Sequence, residues 1–130
     1  MRAVDTNVLV RLLVRDDARQ AGIAEAFVAG GAWISHLVLV ETLWVLDAVY
    51  TRTATQIANA IDLLLAHQSL TLQDADVVAS AVRDFRSRPA LGFSDCLILA
   101  SARKAGHLPL GTFDRALARL DGTQIGRAHV

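Results

Sequence analysis

Asp5, Glu41, Asp95 and Asp114 are the residues of this 130-residue chain best suited to chemistry, because each sits in or beside an apolar run. Asp5 lies between Val4 and Val8-Leu9-Val10, and Glu41 interrupts the run from Leu37 to Leu46. Asp95 opens Asp95-Cys96-Leu97-Ile98-Leu99-Ala100, and Asp114 follows Leu110-Gly111-Thr112-Phe113. A carboxylate drawn out of water needs a partner, a proton or a metal ion. Several converging carboxylates make an all-oxygen site for a hard cation. The chemistry this implies is hydrolysis at a phosphate.

Each acid also has a purely structural reading. Asp5 and Asp114 can cap helices, and Asp95 can favour a helix N-terminus through the macrodipole. Glu41 can be half of a buried pair with an arginine. Glu41 is the hardest to explain this way. Its helical neighbours Leu37, Trp44 and Val45 would place it in an apolar stripe, where a glutamate is seldom left unpaired.

The elements that must position these acids alternate between strand-like and helical runs. Ala3-Val4 begins a short strand that stops near Asp5, and Val8 to Val14 continues as a helix. Asp16 and Asp17 can cap a helix through Phe27, which Gly30-Gly31 ends. Ala32 to Ser35 reads as a strand, and Ser35 caps a helix over about Leu37 to Tyr50. Thr53 and Gln56 have capping-box spacing and open a helix through Leu65. Ser69 to Leu72 is a short strand. Asp74 caps a helix that ends before Pro89, and Ser94 caps one that Gly106 stops. His107 to Thr112, Arg115 to Leu120 and Thr123 to Ile125 read as strand, short helix and last strand. This order predicts an α/β fold with a central, mostly parallel sheet flanked by helices on both faces. Ligands of such sheets bind beyond the carboxyl ends of the strands. Asp5, Asp95 and Asp114 belong to that edge, with Glu41 in the second turn of a helix that starts there.

Composition narrows the function classes. The length predicts a single domain over residues 1–130. A hydrophobic fraction of 53% argues against disorder and for a buried sheet, an oligomer interface, or both. The formal net charge is zero, so no global basic field advertises nucleic acid. Cys96 is the only cysteine, which excludes an internal disulfide. Neither a signal peptide nor an uninterrupted membrane span is evident, so a cytoplasmic location is expected.

Four segments carry a resemblance to the PIN-domain nucleases, most closely the short VapC-type toxins of bacterial toxin–antitoxin systems. They are Val4-Asp5-Thr6-Asn7-Val8-Leu9, Val40-Glu41-Thr42-Leu43-Trp44-Val45-Leu46, Gly92-Phe93-Ser94-Asp95-Cys96-Leu97-Ile98 and Thr112-Phe113-Asp114. They occur in the family's order across nearly the whole chain. The segment after Asp121 matches least.

The resemblance implies a PIN-like fold and a Mg2+-dependent endoribonuclease, with Mn2+ as an alternative ion. Asp5 and Asp95 would be the core metal ligands. Glu41 would complete the site directly or through water, and Asp114 would bind a second metal or orient the attacking water. Thr6, Asn7 and Thr112 are candidates for supporting hydrogen bonds or substrate phosphate contacts, set against ordinary turn and capping roles. The resemblance also implies a cognate antitoxin that covers the acidic site, often with an arginine, and a homodimer. Other readings are a PIN nuclease of RNA maturation or DNA flap processing, a non-catalytic PIN-like domain that binds RNA or protein, and a phosphatase-like hydrolase. Retention of four acids argues against a purely binding module. The absence of an Asp-x-Asp pair around Asp5 argues against the phosphatase.

The remaining candidates are weaker. His36, His67, His107 and His129 share no metal-like spacing and read as surface or capping residues. Cys96 reads as a core thiol. Trp33 and Trp44 read as core or interface anchors rather than base-stacking platforms. Arg11, Arg15 and Arg19, and Arg83, Arg86 and Arg88, are either solvated helix faces or the lining of an RNA groove.

Overall fold

Side-chain caps set most of the helix starts in the first half of the chain. The computed structural model describes residues 1–126; His129 lies outside the described residues. The chain divides into two compact units, Met1–Ala75 and Asp76–Val130.

In the first unit, β1 (Arg2–Ala3) leads into α1 (Thr6–Val14), α2 (Ala18–Val28), β2 (Ala32–Ile34), α3 (His36–Ala48), α4 (Ala54–Ala66) and β3 (Leu70–Leu72). Asp17 Oδ1 accepts from Gln20 N at 3.1 Å and Ser35 Oγ from Val38 N at 3.1 Å. Thr53 and Gln56 form the full capping box at the start of α4, with bonds of 2.8 and 3.2 Å. Each such cap stabilises its helix by about 1 kcal/mol. Helix α1 begins at Thr6, ahead of the expected Val8, because Asp5 caps it.

The three strands are parallel in the order β1-β2-β3, with Ala3 opposite Trp33 and Trp33 opposite Thr71. Strand alternation puts Ala32, Ile34, Leu70 and Leu72 on the buried face. Val4 N–H extends the ladder with a 3.1 Å bond to Trp33 O. His36 ties the start of α3 to the end of β3. Its backbone N–H donates to Gln73 Oε1 at 2.8 Å, and its ring Nε2 lies 2.7 Å from Gln73 O.

In the second unit, α5 (Ala75–Ser87) buries Val77, Val78, Ala81, Val82 and Phe85 on one stripe. A short 3-10 turn (Pro89–Leu91) leads into α6 (Phe93–Ala105), and Phe93 meets Phe85 edge to face with ring centroids 6.2 Å apart. Helix α6 is entered through Gly92, at φ 79° and ψ 149°, and not through a Ser94 cap as the sequence suggests. That conformation is open almost only to glycine, and it starts the helix before Ser94. Gly106 ends α6 in the left-handed conformation, as expected.

Strands β4 (Leu110–Thr112) and β5 (Thr123–Ile125) pair in parallel. The helix expected between them is a 3-10 turn (Leu117–Arg119), since the chain returns to extended backbone at Leu120. Parallel strands joined through helices make this an α/β fold. Among the described residues, no helix is long and apolar enough to cross a membrane.

Candidate functional site

The four acids fall two to each unit. In the first, the chain leaves the sheet after Val4, and Asp5 takes an extended conformation at φ −96° and ψ 178°. Its Oδ1 accepts from Val8 N at 3.3 Å, so the capping role read from sequence is real. Capping uses one carboxylate oxygen, and a carboxylate has a second. Helix α3 packs against α1 and brings Glu41 to the residue after Asp5: Thr6 Oγ1 donates to Glu41 Oε2 at 2.8 Å. Asn7 is exposed.

Glu41 is exposed, which corrects the expectation that it is buried in an apolar stripe. Its partner is the Thr6 hydroxyl rather than an arginine. The stripe itself faces water, with Leu37 69% and Trp44 66% exposed. The core face of α3 is Leu39, Thr42, Leu43 and Leu46, and Thr42 satisfies its hydroxyl by donating to Val38 O at 2.7 Å. Neither tryptophan is a core anchor, since Trp33 is 37% exposed.

In the second unit, Asp95 stands in the first turn of α6 between the buried Phe93 and Cys96 and is half-buried itself. Burial pushes its carboxyl above the ordinary value, and the negative charge of Asp114 adds to the rise. Asp114, just past β4, is exposed and held from both sides. Its N–H donates to Thr112 Oγ1 at 3.0 Å, and its Oδ1 accepts from Ala116 N at 2.8 Å and Leu117 N at 3.2 Å. Thr112 therefore fixes the backbone of Asp114. Asp5 and Asp114 are also exposed, so burial does not mark these acids as a group.

Each unit thus presents two of these four carboxylates, and among the described residues no group of three or more His, Cys, Asp and Glu is gathered to hold a metal. The donor set fits a hard cation. It is all oxygen, and in the second unit burial and the charge of Asp114 raise the cost of ionising Asp95, which a cation relieves. Mg2+ asks for only one or two protein carboxylates beside water and substrate phosphate. Cys96 is buried and its thiol is pushed up to about 11, chiefly by burial, so it is no nucleophile at neutral pH.

Two arginines of the first unit are paired, Arg11 with Asp16 at 3.5 Å and Arg15 with Glu25 at 2.6 Å. Arg83, Arg86 and Arg88 are exposed around the end of α5. Among the histidines, His36 serves the Gln73 clamp and His67 Nδ1 accepts from Ser69 N.

Comparison with family models matches residues 2–123 to the PIN domain. No curated protein and no solved structure matches the chain.

Proposed function

Because this chain belongs to the PIN-domain family, we propose that it is a Mg2+- or Mn2+-dependent endoribonuclease, the toxin of a VapC-type pair held inactive by a cognate antitoxin. PIN domains are generally nuclease domains, typically metal-dependent, that act on RNA or DNA. The observation that carries the reading is the single family match from residue 2 to 123, which runs through both units and contains Asp5, Glu41, Asp95 and Asp114. On the same ground, residues 1–130 are proposed to act as one PIN domain.

In this proposal the four acids hold the ion, with Asp5 and Asp95 as its main ligands. The bound ion supplies charge neutralisation at the phosphate and makes water more acidic. The chain's own residues set the geometry. The Asp5 cap fixes one rotamer at the end of β1, leaving Oδ2 to bind. Thr6 orients the exposed Glu41 carboxylate through its hydroxyl. Thr112 and the amides of Ala116 and Leu117 hold Asp114 while leaving its Oδ2 for the ion or the attacking water.

The toxin and antitoxin assignment draws on the resemblance of the four motif segments. A homodimer is part of the proposal, supported by the exposed apolar side chains Val49, just past the end of α3, and Leu63 on the adjacent α4.

The test is cleavage of total RNA by the purified chain with Mg2+, and growth arrest on its induction that the product of an adjacent short reading frame relieves. Undiminished cleavage in excess EDTA would rule out the metal mechanism. Thr6→Val should cost roughly 10- to 100-fold in kcat, the range for partners that orient metal ligands, with little change in melting temperature. Activity equal to the parent would show that the 2.8 Å bond to Glu41 has no part in cleavage.

A further inference from the structure

We propose that Gly126 is a positioning residue for Asp114, acting through Thr112 and Phe113 from beyond the end of the segment that matches the PIN domain. The inference deepens the nuclease reading and rests on it. The match stops at residue 123, the first residue of β5. Parallel pairing sets Thr112 opposite Ile125, and one step further Gly126 stands opposite Phe113. Gly126 N–H donates to Thr112 O at 2.6 Å, the last rung of this ladder before Asp114.

The bonds that Asp114 makes itself are local. Thr112, Ala116 and Leu117 hold its backbone and carboxylate to the turn, and they would do so wherever the turn went. On the β4 side, the place of the turn depends on what Thr112 and Phe113 touch, and both touch Gly126. A Cβ at residue 126 would stand 2.6 Å from Phe113 Cε1, 3.0 Å from Cζ and 3.1 Å from Cδ1. Ordinary carbon contacts lie at about 3.5–4.0 Å. One edge of the ring therefore fills the space that any side chain at this position needs. Glycine in a strand marks such close approaches, and an aromatic ring laid on it helps to pin the register.

Phe113 is 73% exposed, so the core does not hold its ring. An added methyl group at Gly126 would be met in one of two ways. Either the ring swings into water and Phe113 loses its support, or β5 backs away and the 2.6 Å rung lengthens. Each loosens the residue that precedes Asp114, and the yield required is about 1 Å. Misplacement on that scale costs roughly 100-fold in rate.

The test is Gly126→Ala beside Gly111→Ala. Gly111 lies in the partner strand β4, where a Cβ meets nothing within 4 Å. Gly126→Ala should lower kcat for RNA cleavage roughly 10- to 100-fold, with KM and melting temperature near the parent values. Gly111→Ala should keep the parent kcat. Phe113→Leu in the Gly126→Ala chain removes Cε1 and Cζ, the two nearest ring atoms, and should recover part of the loss. In the metal-free protein, the Asp114 amide peak of a proton–nitrogen correlation spectrum should move in Gly126→Ala and return towards its parent position in the double variant. An unmoved Asp114 peak, parent kcat in Gly126→Ala, an equal loss in Gly111→Ala, a rise in KM alone, or a double variant no better than Gly126→Ala would each overturn the inference. Any of these beside a parent that cleaves RNA removes this inference alone. A parent that does not cleave removes the nuclease reading and this inference with it.

Discussion

Asp5→Asn is expected to lower Mg2+-dependent RNA cleavage by more than roughly 100-fold, beyond the cost of losing a partner that only orients a ligand, and to leave the protein as stable as the parent. The reason lies in the two jobs of this side chain. Its Oδ1 accepts from Val8 N and caps α1, and an asparagine oxygen caps a helix about as well as an aspartate. The substitution removes the charge proposed for the metal and keeps the cap. Asp5→Ala removes both, and should add a loss of about 1 kcal/mol, or roughly 3–5 °C in melting temperature for a chain of this size. Cleavage rates and thermal melts of the two variants separate catalysis from capping. Retained cleavage in Asp5→Asn would end the assignment of Asp5 as a ligand. Equal melting of the two variants would mean that the 3.3 Å cap contributes nothing.

Ser35, Thr53 with Gln56, Asp17 and Gly106 announce helix ends through local chemistry, which tertiary contacts do not override, and the structure agrees at each. Parallel pairing follows from the alternation of strands and helices. The entry to α6 was harder to see, because Ser94 is a good cap by type, while Gly92 acts through a backbone conformation that leaves no polar signature. The sequence sets all four acids in or beside apolar runs, whereas three of them are exposed and Asp95 is half-buried. Helix α3 is apolar on almost every side, with Leu37, Val40 and Trp44 as greasy as Leu39, Leu43 and Leu46. No periodicity shows which side faces the core, so the sequence reads Glu41 into a buried stripe that in fact lies open. Thr6, by contrast, was legible as a supporting residue, though nothing local in sequence names Glu41, 35 positions away, as its acceptor.

Asp95→Asn should abolish the stabilisation that Mg2+ confers while leaving the metal-free protein no less stable at neutral pH. Burial, and then the charge of Asp114, raise the Asp95 carboxyl above its ordinary 3.8. A group raised on folding keeps its proton at pH values where the unfolded chain has released it. Stability of the metal-free protein therefore falls as pH climbs from 3.8 through the raised value, and above that value the cost is carried in full. The position of Asp95 in the first turn of α6 works the other way, by about 0.3–1 kcal/mol at an exposed site. Asparagine removes the charge, so the variant should lose this part of the pH slope and melt no lower than the parent at neutral pH. A divalent ion reverses the balance in the parent, because it favours the ionised carboxylate and so competes with the proton. Its affinity should weaken as pH falls through the raised value. At 100 times its dissociation constant such an ion adds about 2.7 kcal/mol. Thermal melts across a pH series, with and without Mg2+, read both effects at once. An equal Mg2+-induced rise in parent and variant would exclude Asp95 from the metal site. A variant that melts below the parent without metal would mean that the dipole, and not burial and repulsion from Asp114, governs this carboxylate.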